Sequence, residues 1–363
     1  MNSLENSFYT AAQMERLLKD SRKIGFRYEL LDKKDRPIGK VTASGYIDFN
    51  AAADIKRVAS FQIKEAKDID FLTDRIKPYM QIYTKKGTVE YPLGVFMMDS
   101  PTRVSEGTGI TRSVECYDKT IILRDDKLTA RTLFAKGTLY TAAIDTMIAS
   151  AGITYYRVEP SEKQLRQDLE FEPGTSKLQV INTLAAAINY NDVYVDSSGC
   201  VIVKAYVNPE ARPVEFIYAT DKRSVVLPRA EETQDLFNIP NKIVRWLETP
   251  ELDCIVASAE NNDPTSRLSI ANRGRTIVDA EAVSDIADQA TLEAYVARLA
   301  AEAKIYQTVT ISTALMPHHE FLDCLYIVND RLGISGKYIE QSWNMELTVG
   351  GAMKHVCKRT VSG

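Results

Sequence analysis

Residues able to do chemistry are few in this sequence and far apart. Its 363 residues hold three histidines, five cysteines and 49 acidic side chains. His318 and His319 are adjacent in the run PHHE, Pro317 to Glu320. A zinc-binding HExxH would instead set two imidazoles one helical turn apart on a single face. Neighbouring side chains on a strand point to opposite faces, so PHHE reads as a polar loop with one imidazole near solvent. His355 reads as a strand residue that packs or faces water. So few histidines suit a protein with no acid–base or metal site to maintain.

Paired carboxylates are the other route to catalysis. Glu170 and Glu172 share one face of an expected strand, Asp68 and Asp70 do likewise, and Asp125 and Asp126 are adjacent. Such pairs cleave glycosidic bonds only when held about 5–10 Å apart around a substrate in a cleft. With this many acidic residues, near pairs arise by chance. Phosphate cradles are also missing: the glycines at Gly107 and Gly109, and those at Gly333 and Gly336, lack the spacing and the following helix of a P-loop, and read as hairpin turns. No GxSxG is present to build a nucleophile elbow. Cys116, Cys200, Cys254, Cys324 and Cys357 form no CxxC and read as buried reduced thiols. No catalytic, cofactor-binding or metal residue is therefore assigned.

The elements around these residues are mostly strands. Residues 1–23 read as an N-terminal arm or helix, with Met14, Leu17 and Leu18 on one side. Residues 24–128 alternate with period two, as in Phe26, Tyr28 and Leu30, then Ile47 and Phe49, Ala59, Phe61 and Ile63, and Val89, Tyr91, Leu93 and Val95. This reads as a mostly antiparallel sheet or barrel, the first β domain, with room for a short helix between Asp68 and Lys77 and a last strand over Val114 to Leu123. Residues 129–210 switch to helical spacing, with Ile144, Met147 and Ile148, then Leu178, Ile181 and Leu184. They close on a hairpin with a Ser-Ser-Gly turn, and so form an inserted α/β module. Residues 211–363 return to strands, including 337–341 and 345–349, around one long helix over 284–304. The fold class is α+β, mainly β.

Composition narrows the function classes. A formal charge of -4, with 45% hydrophobic and 26% charged residues, does not fit a protein that wraps nucleic acid in Lys and Arg. No apolar run has the ~18 residues of a spanning helix, and the first residues lack the pattern of a secretory leader.

Four segments carry a likeness to a known family. They are GTSKLQVINTLAAAINYNDVYVDSSGCVIVKA (Gly174 to Ala205), PNKIVRW (Pro240 to Trp246), AENNDPTSRLSIANRGRTIV (Ala259 to Val278), and the stretch from Leu315 to Thr360 with its Asp323 to Val328 strand and Gly-Gly turn. In this order the chain resembles the baseplate hub proteins of contractile phage tails and related injection machines, also seen as the N-terminal part of tail-associated proteins. It departs from them at Leu322 and Asp323, where many relatives have Gly-Asp.

The resemblance implies two tail-tube-like barrels in one chain, so that three copies adapt a six-fold tube to a three-fold spike and line a DNA or cargo channel. PNKIVRW would begin the second barrel. Implied partners are two further copies in a homotrimer, a tail tube or distal tail protein, a spike or tail-tip protein, and also tape-measure and wedge proteins. DNA would pass only in transit, and no membrane insertion or cofactor is implied. Location would be the virion tail after synthesis in the host cytoplasm. Relatives fused to a cell-wall hydrolase run well past Gly363, so cleavage is expected in a separate partner. The 18 tyrosines suit subunit interfaces. Two other readings stay open: a wall-degrading tail enzyme using Glu170 and Glu172, and a receptor- or glycan-binding module.

Overall fold

The computed structural model describes residues 8–65, 69–107, 109–221, 224–234, 237–249, 252–304 and 307–360. Asp68 and Gly363, named above, lie outside these residues. Thr10 and Gln13 form a reciprocal capping box that starts helix α1 (Ala11–Lys19), whose Met14 and Leu18 are buried. Nine strands follow: β1 (Lys23–Leu31), β2 (Pro37–Val41), β3 (Ala43–Asn50), β4 (Arg57–Lys64), β5 (Arg75–Thr84), β6 (Gly87–Pro92), β7 (Phe96–Met98), β8 (Thr102–Glu106) and β9 (Gly109–Tyr117). Period-two burial is regular in β4 and β5, as expected for strands with one face on a core.

Two local expectations fail here for side-chain reasons. The space allowed for a helix before Lys77 holds a tight turn, because Asp70 accepts from the Leu72 amide and the Thr73 hydroxyl, and β5 starts at Arg75. The run Val114 to Leu123 is not one strand. After β9 ends, Asp118 accepts from the Thr120 amide and hydroxyl and starts helix α2 (Thr120–Asp125).

The next stretch builds a core of its own. It contains β10 (Thr132–Phe134), α3 (Tyr140–Ser150), β11 (Tyr156–Val158), β12 (Leu169–Phe171), α4 (Lys177–Ala186), β13 (Tyr194–Val195) and β14 (Val201–Val203). Ser176 caps α4 through the Gln179 amide. Ile144, Ile148, Ile181, Leu184, Val193, Val201 and Val203 pack together. The β13–β14 turn seats this module on the first strands: Gly199 has φ +92, and its carbonyl accepts from Lys119 Nζ at 2.7 Å.

The remaining elements are β15 (Phe216–Ala219), β16 (Val226–Gln234), β17 (Lys242–Thr249), β18 (Leu252–Glu260), α5 (Ile270–Arg273), β19 (Val278–Ala282), α6 (Gln289–Ala303), β20 (Gln307–Ala314), β21 (Cys324–Asn329), β22 (Ile334–Glu346) and β23 (Ala352–Arg359). The long helix starts later than expected, because Asp288 caps it through the Thr291 amide while Asp285 and Ile286 are already buried ahead of it. The strands expected at 337–341 and 345–349 run into one strand, β22, which ends at Glu346, so that 347–349 lie beyond it. Its register slips between Glu340 and Ser342 opposite β23, and this bulge keeps Tyr338 and Glu340 buried before it and Trp343 and Met345 buried after it.

Among the described residues the first and last parts share one 15-stranded sheet. Its path runs β16-β20-β23-β22-β3-β4-β9-β7-β5-β1-β2, open at both ends, with β15, β21, β6 and β8 attached beside it. The halves join where β22 pairs with β3, Trp343 opposite Phe49, and one hydrophobic cluster runs through both. PNKIVRW does not enter this sheet. It forms β17, the centre of a separate sheet ordered β18-β17-β19, whose Ile243, Leu247 and Ala257 pack with Leu292 and Val296 of α6.

A Cβ added to Gly199 would lie 2.6 Å from Val95 Cγ2, whereas one added to Gly174, at φ +89, would meet nothing within 4 Å. Gly174→Ala is expected to cost only the backbone strain, about 1 kcal/mol. Gly199→Ala should cost at least ~1 kcal/mol more, because the turn must also lift off Val95. Urea unfolding of the two variants checks the difference, and equal losses would mean that the turn is not tightly seated.

Candidate functional site

All three histidines meet in the core of the large sheet. His318, His319 and His355 are 1%, 2% and 0% exposed, so the polar loop expected at PHHE is a buried segment. Tyr218 from β15, Glu340 from β22, His355 from β23 and Thr313 from β20 surround the loop that follows β20 and carries His318 and His319. Scarcity of histidine therefore did not mean absence of an acid–base cluster.

Glu340 is the centre. Its Oε2 lies 2.6 Å from His319 Nδ1 and its Oε1 2.5 Å from His355 Nδ1. On the far side of each ring is a hydroxyl: Tyr218 at 2.6 Å from His319 Nε2, and Thr313 at 2.8 Å from His355 Nε2. Asp323 Oδ2 is 3.9 Å from His319 Nδ1. A chain of polar atoms thus crosses four strands and one loop inside an apolar core.

Electrostatics separates the roles. Burial alone would push the Glu340 carboxyl up, but the two imidazoles outweigh it and hold it at about 2. Burial opposes charge on His319, yet Glu340 and then Asp323 outweigh it and raise this ring above its ordinary value. His355 is held below the ordinary value by burial, which the single carboxylate it faces does not overcome. Burial, followed by the charge of Glu215, lifts Asp323 to about 7. His318 is pushed down by burial and by His319, and both of its nitrogens lack a partner among the described residues. It is a neutral ring packed 4.5 Å from Phe216.

The loop segment Leu315–Asp323 extends this cluster into a junction. Glu320 Oε2 accepts from Arg57 Nη2 at 3.1 Å, and its Oε1 accepts from the Ser197 amide at 3.0 Å. Phe321 stacks on Tyr194 with centroids 4.3 Å apart and meets Phe49 edge-on. Arg22, just after α1, donates to the Leu315 carbonyl, and Arg212 donates to the Leu322 carbonyl at 2.7 Å. One nine-residue segment thereby touches the connection after α1, the first strands, the inserted module and the last strands.

The sequence pairs fare differently. Glu170 and Glu172 are brought together, but Arg131 bridges both at 2.9 and 2.7 Å on an exposed surface, which is how a solvated ion pair looks. Asp70 organises its turn. Asp125 and Asp126 bind separately to Arg124 and Lys177. Of the thiols expected to be buried, four are, while Cys254 is exposed on β18. With side chains 0–2% exposed, the histidine cluster can share protons or hold a cation and tie strands together. It offers no surface on which a substrate could rest in this conformation.

No protein-family model matches the chain, and no curated protein does. Solved structures do match. A tail protein from Neisseria meningitidis superposes with a TM-score of 0.66 at 14% identity, over 92% of this chain and 97% of that one. The 43 kDa tail protein of prophage MuSo2 from Shewanella oneidensis gives 0.60 at 12% identity, over 92% and 98%. A prophage tail protein from Listeria monocytogenes gives 0.56 at 12%, over 93% and 95%. The mainly β fold of this chain is thus the fold of phage tail proteins.

Removing one partner from a buried ion cluster strands the others, so Glu340→Gln is expected to lose about 3–5 kcal/mol of stability. His318→Phe should gain about 1 kcal/mol, because it replaces two unpartnered nitrogens with apolar atoms of similar shape. Denaturant unfolding monitored by the two tryptophans reads both, and a destabilised His318→Phe would mean that this ring has a polar partner in solution.

Proposed function

We propose that this chain is the structural hub of a phage tail or a phage-like injection machine. In this reading, three copies close into a ring between a six-fold tail tube and a three-fold spike. The observation that carries it is the correspondence with tail proteins along nearly the whole of both chains. A hub of this kind needs two barrel-like halves held at a fixed angle. The sheet and the hydrophobic cluster that the first and last parts share would supply such rigidity.

Ring closure needs surface that only a neighbour satisfies. The large sheet ends on two strands, β16 and β2, which have no further partner among the described residues, and exposed apolar groups lie on both, Leu227 at 42% and Ile38 at 53%. Unpaired edges of this kind are places where another chain can add. The ring would be lined by a surface that does not grip phosphate, which a formal charge of -4 suits. Tube, spike, tape-measure and wedge proteins would be its neighbours in the virion tail. The role is non-catalytic. Arg131 clamps the carboxylate pair of the enzyme reading, so that reading gains nothing from the geometry.

The test is assembly. Purified chain, alone and mixed with tail-tube and spike proteins from the same tail, is measured by light scattering and imaged by electron microscopy. Three-fold rings are expected, at least in the presence of a partner. A strict monomer under every one of these conditions overturns the proposal.

A further inference from the structure

The buried cluster has an electrostatic gap that points to a metal ion. His319, Glu340 and His355 each offer a ligand atom, and these atoms lie within 4.8 Å of one another. They come from three separate segments of the chain and lie in the core, in the manner of a closed structural site.

The outer hydrogen bonds decide how the rings are set. The Thr313 hydroxyl lies 2.7 Å from the Ala314 carbonyl and 2.8 Å from His355 Nε2, and with its proton on that carbonyl it accepts from the ring. In that arrangement the ring proton of a neutral His355 sits on Nε2. Its Nδ1 then presents a lone pair to Glu340 Oε1 at 2.5 Å. Two acceptors cannot face each other at that distance unless something positive lies between them. His319 has the same layout, with Nδ1 on the other carboxylate oxygen and Nε2 on the Tyr218 hydroxyl. An imidazole whose outer nitrogen is held by a hydroxyl while the inner one faces a shared carboxylate is oriented as metal-ligating histidines are.

We propose that a divalent first-row transition ion, with zinc as the test case, binds between His319 Nδ1, His355 Nδ1 and both oxygens of Glu340. Two nitrogens and a chelating carboxylate make a four-coordinate set suited to zinc or cobalt rather than to magnesium or calcium. Ligand bonds of about 2.0–2.2 Å require the rings to move back from the carboxylate by roughly half an ångström. Any proton held between Nδ1 and the carboxylate leaves to solvent as the ion enters. Since the ligands are sealed in the sheet, the ion enters while the chain folds and then locks β22 and β23 to the Leu315–Asp323 segment.

The full-length chain is produced in medium supplemented with zinc or with cobalt, purified without chelator, and its metal content is measured by mass spectrometry. About one ion per chain is expected, with a visible cobalt spectrum of four-coordinate intensity, and Tm about 5 °C or more above protein produced in metal-depleted medium. His355→Gln, which keeps a polar side chain there, should lose the ion and the cobalt spectrum, whereas His318→Phe should keep both. Less than about a tenth of an ion per chain with no dependence of Tm on the medium overturns the proposal, and leaves the gap filled by a proton on His355. Full metal content in His355→Gln would overturn it equally, by placing the ion elsewhere.

Discussion

The Glu320 carboxylate is the contact on which the arrangement of the parts depends. One oxygen binds the Arg57 guanidinium and the other the Ser197 amide, so one side chain of the third part holds the first part and the inserted module together. Arg57 is itself fixed, with its guanidinium carbon 5.4 Å from the Trp343 ring centre and 5.8 Å from that of Phe49, and a bond to the Leu93 carbonyl. An arginine 1% exposed is costly to desolvate unless its donors are used. Here two of its three nitrogens are bonded, and the residual cost falls on Nε, which has no partner among the described residues. Such a pair adds little net stability over an apolar replacement. What it adds is register, because a displaced module would leave a buried charge unpaired.

The same logic extends along Leu315–Asp323. This loop is buried where loops usually are not, so its backbone carbonyls need donors from elsewhere. Arg22 and Arg212 reach in from either side to serve Leu315 and Leu322. Leu322 takes φ +54, an uncommon conformation for a branched residue, at the point where the segment turns into β21. A glycine at this place would meet the same turn with no strain. The chain keeps leucine, whose side chain packs against the main hydrophobic cluster.

How far the sequence revealed this structure depended on the range of the interactions. Strands such as β4 and β5 were legible because burial on one face imposes period two, and α3 and α4 because it imposes 3.6. The cap at Asp288 is local, yet the long helix was expected from residue 284, because helical spacing alone does not fix where a helix begins. The histidine cluster was not legible. His319, Glu340 and His355 are brought together by β20, β22 and β23, and nothing in PHHE shows that the loop is covered. A signal was present in KYIEQSW: an acid at an inward position of an apolar strand, which has to find a cation or a proton in the core. It was hidden by the bulge after Glu340, which shifts the alternation and made β22 look like two strands.

Rigidity follows from the placement of this cluster. Glu340 sits just before the part of β22 that leaves β21 and pairs with β3, so the charged centre lies at the seam between the two halves of the large sheet. Sliding β22 by one residue would turn Glu340 out of the core and leave two imidazoles without their carboxylate. Rotating the halves about the seam would separate Glu320 from Arg57. Both motions break buried polar contacts that water cannot replace, so they carry a penalty that apolar packing alone would not impose. In the hub role proposed for this chain, a change of symmetry between tube and spike would therefore be built into a fixed angle between the halves, with the inserted module held to both by Glu320.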